Sequence, residues 1–585
     1  MKGMHRRVFW GTLSLTAMTF VLLSALAAWA APELVVLPID RAKFLAGQKF
    51  DLEVELRGAK ADEIKIFLNG KDAGEFFGGK GSFKAGDGLS SLRFAGVGFA
   101  EPGSVRLEAE ARGGKTVYRK SADYAVVSEN AEKQARNVIL FIGDGMGLVN
   151  RQIGRILARG IREGKYNGLL EMEQMTGGTA LVTTSGYDSL VTDSANSASA
   201  YATGHKSVVN AMGVYENSQA DPLAHPKVEN IAELAKRVRG MSVGLVSTSN
   251  ITDATPAAMV AHTRRRAEQN FIAGEMLKAD VVLGGGSRHF LPQGTPGSKR
   301  KDDRNLIEEF KAVGYVFAGD RDELARADGD KVLGLFNLDN LNVYLDREIL
   351  RDPEVLQGFD KQPTLMEMTQ KALDVLSRNE NGFFLMVEGA CIDKQLHTMD
   401  WERSAYDTIE MDKAVALARR FAAEHPDTLI IATADHSHGV SITGTYHERD
   451  GKKGREAVRT YAASVFPTFT DADGDGFPDD PAPEVTLAVQ YANHPDYYED
   501  FKFHAQPVSP AIMSGDVAVA NERRALGGTF YPGNIPSDEP SEVHSADDVP
   551  LSAEGPGADY FKGVMDNTEV FYGIVRALGL NAAGK

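Results

Sequence analysis

The chain has 585 residues, 43% hydrophobic and 25% charged, with a formal net charge of −17. That composition is ordinary for a folded globular protein, and the length allows several domains or one large domain with additions. So acidic a chain lacks the basic face that a nucleic-acid binder needs, and it suits a protein that holds several cations.

In chain order, the N-terminus reads as a targeting segment, residues 1–30. Lys2, Arg6 and Arg7 give a positive start, an apolar run follows from Val8 to about Leu26, and Ala28-Trp29-Ala30 has the small-x-small pattern of a cleavage site. Cleavage after Ala30 implies export to a periplasmic or extracellular space, with an uncleaved anchor as the competing reading. Arg6-Arg7-Val8-Phe9 resembles part of a twin-arginine signal, although the residues after Phe9 do not continue it. No later stretch is long and apolar enough to span a membrane. The single cysteine, Cys391, excludes an internal disulfide, and its place at the end of the apolar run FFLMVEGAC marks it as a small buried thiol.

Residues 33–128 read as a separate β domain. DLEVELRG, IKIFLNG, SLRFAGVGF and VRLEAEARG alternate or nearly alternate apolar and polar residues between Gly- and Pro-rich turns. Several short strands at this spacing predict a sandwich of immunoglobulin type without its disulfide. No cluster of catalytic residues falls here, so the domain reads as a structural addition or a tether.

From Asn137 the texture changes. NVILFIGDGMG, SVGLVSTSNITD, ADVVLGGGS, GFFLMVEGACID and TLIIATADHSH are apolar strands, separated by helical stretches such as 226–239, 304–313 and 364–378. Strands apolar on both faces predict an α/β domain over 135–580, with a central, largely parallel sheet flanked by helices. Active sites of such sheets lie beyond the carboxyl ends of the strands. Four of the five strand ends carry acids or histidines: Asp144, Asp253, Glu388 with Asp393, and Asp435 with His436.

Residues 445–541 form an insertion rich in turns. Within it, DADGDGFPDD alternates Asp471, Asp473 and Asp475, then has Gly476 and Asp479. This resembles the first part of a calcium loop, but Ala482 stands where a bidentate glutamate belongs, so a solvated acidic turn competes with calcium.

The chemistry gathers in a few stretches. In VTDSANSASAYATG, residues 191–204, Asp193 or Ser194 caps a small-residue helix whose free N–H groups suit an anion. In DKQLH, Asp393 and His397 are four apart and face one side of a helix, as two ligands of one metal would. Asp435-His436-Ser437-His438 ends an apolar strand, and His544 in EVHSADD is a further candidate ligand. Asp144, Thr255 and Glu388 offer hard oxygens, which suit magnesium; mixed His and carboxylate groups suit zinc. One of Arg264, Arg265 and Arg266 could grip a phosphate, while at least two of the three read as a solvated basic run.

Together NVILFIGDGMG, VTDSANSASAYATG, TDATPAAMVAHTRRR, VEGACIDKQLH, ATADHSHG and EVHSADD resemble the alkaline phosphatase family, in the family's order, over roughly 135–445 and 541–580. The resemblance implies a nucleophile at Ser194 and a phosphate-binding arginine at Arg266. It implies one zinc on Asp393, His397 and His544, a second on Asp144, Asp435 and His436, and a magnesium on Asp144, Thr255 and Glu388. Asp253, Lys394 and His438 would stand just behind these groups. Cys391 departs from a position where serine is common. The implied reaction is hydrolysis of small phosphate monoesters through a covalent phosphoserine, by a possible homodimer. A diesterase or phosphonate-type hydrolase of the same superfamily would be expected to lose the magnesium set, and Thr255 and Glu388 remain. A non-catalytic surface-binding protein is the other alternative.

Overall fold

A computed structural model describes residues 31–128, 131–493, 503–523 and 539–581. Residues 1–30, where a targeting segment is expected, lie outside these residues. No helix among them is long and apolar enough to cross a membrane.

The N-terminal region is strand-rich, with two sheets that share one apolar core. One sheet orders Glu33–Leu37, Phe50–Arg57, Leu89–Val97 and Ser82–Gly86; the other orders Lys43–Leu45, Thr116–Val127, Gly103–Gly113, Glu63–Leu68 and Lys71–Asp72. Phe44, Leu52, Val54, Ile66, Leu107 and Tyr124 fill the space between them. Alternation of apolar and polar residues sends the apolar set inward. One strand goes further: in Phe50–Arg57 the polar set is buried as well, with Glu53 3% and Glu55 0% exposed. That face abuts residues 217–227 of the second region. Glu53 accepts from Asn217 Nδ2 at 2.9 Å, Glu55 accepts from the Ser218 hydroxyl at 3.0 Å, and Asp51 N donates to the Lys227 carbonyl at 2.8 Å. Gln48 Nε2 donates to the Thr203 carbonyl at 2.8 Å, and Tyr215 and Val228 join the sandwich core. The two regions are therefore joined by hydrogen bonds and a shared apolar core.

The second region is built on a ten-stranded sheet. Four strands occupy its centre: β1 (Asn137–Gly143), β2 (Ser242–Asn250), β3 (Phe383–Gly389) and β4 (Thr428–Ala434). They lie side by side as β2-β3-β1-β4, all parallel. Every residue of β1, β3 and β4 is buried, as expected for strands covered on both faces. Gly143 pairs with both Gly389 and Ala434, so three strands end level. Among the described residues, the antiparallel pairings in the sheet are made by Val549–Glu554, beside β4. Of the helices, α1 (Ser194–Thr203), α2 (Cys391–His397) and α3 (Trp401–Glu424) bear on the site.

The insertion carries more order than its sequence indicates. Val440–Tyr446 pairs antiparallel with Thr486–Tyr491. Phe477, in the acidic loop, stacks on Tyr344 with ring centroids 3.9 Å apart, and Arg403 of α3 donates to the His504 carbonyl at 3.1 Å. Cys391 is buried, with Sγ donating to the Thr248 and Leu341 carbonyls at 3.4 and 3.3 Å.

Candidate metal centre and nucleophile

The level strand ends deliver Asp144 after β1, Glu388 within β3 and Asp435-His436 after β4 to one place. Between them, α1 presents its first residue. Asp193 is the N-cap: its carboxylate accepts from Asn196 N at 3.1 Å, and Asn196 Oδ1 accepts from Asp193 N at 3.1 Å. Ser194 thus occupies the first helical position and is 2% exposed. Ser197 and Tyr201, three and seven residues on, lie on the same helix face. Ser197 Oγ donates to the Asp435 carbonyl and Tyr201 Oη to the Ala434 carbonyl, each at 2.6 Å, which fixes α1 to the end of β4.

Ser194 Oγ stands 3.4 Å from Asp144 Oδ1 and 3.3 Å from His436 Nε2. His436 Nε2 also faces Asp144 Oδ1 at 3.2 Å and Asp435 Oδ2 at 3.5 Å. A serine–histidine–aspartate relay would use both ring nitrogens, one toward each partner. Here a single nitrogen meets all three groups, while His436 Nδ1 is buried without a hydrogen-bond partner. Asp435 Oδ2 is likewise buried and unpartnered. Carboxylate, imidazole and hydroxyl atoms that converge on one point offer the mixed ligand set that suits zinc.

A second group lies alongside, in which Asp393, His397, His438 and His544 bring ligand atoms within 4.8 Å of one another. His397 Nδ1 lies 2.7 Å from the Glu542 carbonyl and His544 Nδ1 2.8 Å from that of Thr192. A carbonyl accepts only, so each ring carries its proton on Nδ1. Burial pushes the His397 pKa down, which keeps that ring neutral. The two Nε2 atoms face each other at 3.1 Å with Asp393 Oδ1 at 3.3 and 3.5 Å. Two imidazoles turned this way by their carbonyl partners, with a carboxylate beside them, suit a cation. His438 differs: its Nε2 is 2.7 Å from Asp393 Oδ1 and acts as that carboxylate's donor. Gly145 makes this approach possible. It holds φ +69, donates to Asp435 Oδ1 at 3.0 Å, and a Cβ there would come within 2.7 Å of the His438 ring.

The third set is oxygen only. Thr255 Oγ1 is buried without a partner, and Glu388 accepts from the Ser247 hydroxyl. Burial, then the Asp144 charge, hold the carboxyls of Glu388 and Asp435 well above the usual range. Burial also opposes ionisation of Asp393, but the Lys394 charge and the hydrogen bond from His438 hold it well below that range. Four buried carboxyls at one point are short of positive charge, and cations would relieve that shortage.

Arg266 is set apart from its neighbours. It bonds to Asp193 Oδ2 at 3.3 Å and Asp253 Oδ1 at 2.7 Å, and these anions outweigh burial to hold its proton. Arg264 turns instead to Glu216, and Arg265, 59% exposed, to Glu268, which leaves Arg266 as the arginine beside Ser194. Lys394 Nζ reaches Asp393 at 3.0 Å, Asp253 at 3.4 Å and Asp144 at 3.6 Å. In the acidic loop Asp471, Asp473 and Asp479 come together, and Asp475 stands outside the group. Sequence reasoning missed Asp193 as the tie to Arg266, together with Ser197, Tyr201 and Ser247. Helical spacing from Ser194 carried a signal for Ser197 and Tyr201; nothing local marked the other two.

The family model described as alkaline phosphatase matches residues 135–580. Alkaline phosphatase 4 of Bacillus subtilis (strain 168) is 32% identical over 470 residues, covering 77% of this chain and 90% of that protein. The alkaline phosphatase of Escherichia coli (strain K12) is 32% identical over 488 residues, covering 77% and 87%. Among solved structures, alkaline phosphatase from Thermus thermophilus aligns with a TM-score of 0.55 at 25% identity, covering 77% of this chain and 93% of that one. That of the Antarctic bacterium TAB5 aligns at 0.52 and 23% identity, covering 76% and 98%.

Proposed function

Because the chain belongs to the alkaline phosphatase family, we propose that it hydrolyses phosphate monoesters to an alcohol and inorganic phosphate, through a phosphoserine on Ser194. The observation that carries the reading is the convergence of Ser194 Oγ, Asp144 Oδ1 and Asp435 Oδ2 on one nitrogen of His436. Asp144, Asp435 and His436 would hold one zinc, and Asp393, His397 and His544 a second. Asp144, Thr255 and Glu388 would hold magnesium. Such ions supply the charge that turns a weak hydroxyl into a nucleophile and neutralises the attacking and leaving oxygens.

The protein's own residues do the rest. Ser194 Oγ attacks phosphorus in line, the ester oxygen leaves with the alcohol, and the phosphoryl group stays on Oγ until water releases it. Arg266, held by Asp193 and Asp253, binds nonbridging oxygens that gain charge in the transition state. The N-terminal N–H groups of α1 face the same anion. His438 and Ser247 fix Asp393 and Glu388 in place. Export and a homodimer accompany this reading as proposals.

Ser194→Ala tests it. The variant is expected to retain its bound metals while losing phosphoserine formation and monoesterase turnover by at least about 1,000-fold. Unchanged turnover would remove Ser194 as the nucleophile, and a strong preference for diesters over monoesters would overturn the substrate class.

A further inference from the structure

A cavity of about 490 Å³ opens beside Arg266, and it is lined chiefly by groups the reaction above does not use. Its polar lining includes Arg264, Arg265, His225, Gln219, Asn210 and Glu216. The wall and the phosphate-binding arginine are one structure, since Arg266 N donates to the Asn210 carbonyl at 2.9 Å and Arg264 N to that of Pro222 at 2.8 Å.

The cavity is rich in donors and poor in acceptors. Glu216 is the only carboxylate in the lining, and it is taken by Arg264 Nε at 2.6 Å. Arg264 Nη1 is fixed on the Val209 carbonyl at 2.9 Å. Arg265 meets Glu268 through one nitrogen at 3.1 Å and is otherwise open to solvent. His225 is 2% exposed, and its Nδ1 accepts from Asn217 N at 3.1 Å. That bond places the ring proton on Nε2. Burial, then the Arg264 charge, push its pKa down, so the ring stays neutral and keeps that donor. Among the described residues no acceptor meets Nε2–H. In this cavity an anion would accept from that N–H.

We propose that this cavity is a second anion subsite, which takes a carboxylate or phosphate carried on the leaving group of the substrate and so favours polyanionic phosphomonoesters. It rests on the monoesterase reading. Arg266 borders both places, so an ester seated on it lies within reach of the cavity. Arg265 and His225 then act on the selection of substrate rather than on the phosphoryl group.

Two pairs of substrates test it: 3-phosphoglycerate against glycerol 3-phosphate for a carboxylate, and fructose 1,6-bisphosphate against fructose 6-phosphate for a phosphate. The readout is the ratio of kcat/KM within each pair, compared between the wild type and two variants, so that intrinsic reactivity cancels. Arg265→Glu reverses an exposed charge, and Gln219→Glu adds one at constant size. Each variant is expected to lower the ratio about 10-fold at low salt and about 2-fold or less in 0.5 M salt, because exposed charges are screened. A fall in one pair alone supports the subsite and names the anion. Ratios within about twofold of the wild type in both pairs and both variants overturn the proposal. Absence of phosphate release from all four substrates strikes the monoesterase reading instead.

Discussion

The protein carries two clusters of acids that look alike in sequence and differ in everything else. Asp144, Glu388, Asp393 and Asp435 are buried at level strand ends, and Asp435 Oδ2 has no hydrogen-bond partner. Asp471, Asp473 and Asp479 sit in a loop where every acid already accepts backbone N–H groups: Asp471 from Gly474 and Gly476, each at 2.8 Å, Asp473 from Asp475 at 3.0 Å, and Asp479 from Ala472 at 2.5 Å. Asp479 is exposed and Asp471 half-buried. The lesson is that acid count does not mark a cation site; burial and a shortage of donors do.

The largest effect follows from that shortage. Chelation is expected to abolish monoesterase turnover and to lower Tm, with zinc and magnesium restoring both. Full activity after exhaustive chelation, checked by metal analysis, would erase the distinction between the clusters. Next comes the neighbour of the buried cluster. Arg266→Ala is expected to lower kcat/KM about 100- to 1,000-fold, by loss of a charged donor to the transition state. It also leaves Asp253 half-buried without its nearest cation, so Lys394 must neutralise it alone. Arg265→Ala should cost less than about threefold toward a substrate with a neutral leaving group, and equal losses at both positions would refute the assignment of Arg266.

Most of the buried cluster was legible because each ligand ends a strand or follows one, and an apolar run closing on Asp, Glu or His is conspicuous. Ser194 stood beside a recognisable helix cap. What stayed hidden depended on pairings across long sequence distances. Ser247 meets Glu388 only because β2 lies beside β3, and Asp193 meets Arg266 only through the fold. The polar face of Phe50–Arg57 was the sharpest loss. Alternation marks a half-buried strand, but it cannot say that a second region covers the other half. Glu53 and Glu55 show that it does.

That covered face gives the third prediction. His205, 3% exposed, lies between the regions, with its ring 4.7 Å from that of Phe44 and Nδ1 2.8 Å from Tyr215 Oη. Burial pushes its pKa down to about 3. The unfolded chain therefore binds this proton near pH 6.5 and the folded chain does not. Stability from this group is intact above about pH 6.5 and declines as pH falls toward 3, by about 2 kcal/mol between pH 6.5 and 5. Urea midpoints of wild type and His205→Gln at the two pH values check it. The variant should show the flatter dependence, and parallel curves would remove His205 from the acid response.

The smallest effect belongs to the exposed loop. Asp471→Asn keeps the shape of the side chain and removes a charge that is not buried, so turnover should stay within about twofold and Tm within about 2 °C. Calcium offers the sharper contrast. Backbone N–H groups that point at Asp471 must be given up, or shared, before its oxygens can serve a cation, and no glutamate closes the loop at Ala482. Added calcium should therefore raise Tm of the wild type by no more than about 2 °C at millimolar concentration, the range of weak extracellular sites. A rise of several degrees, lost in Asp471→Asn, would show that donors already bound are no obstacle, and that shortage of donors separates the two clusters less cleanly than burial does.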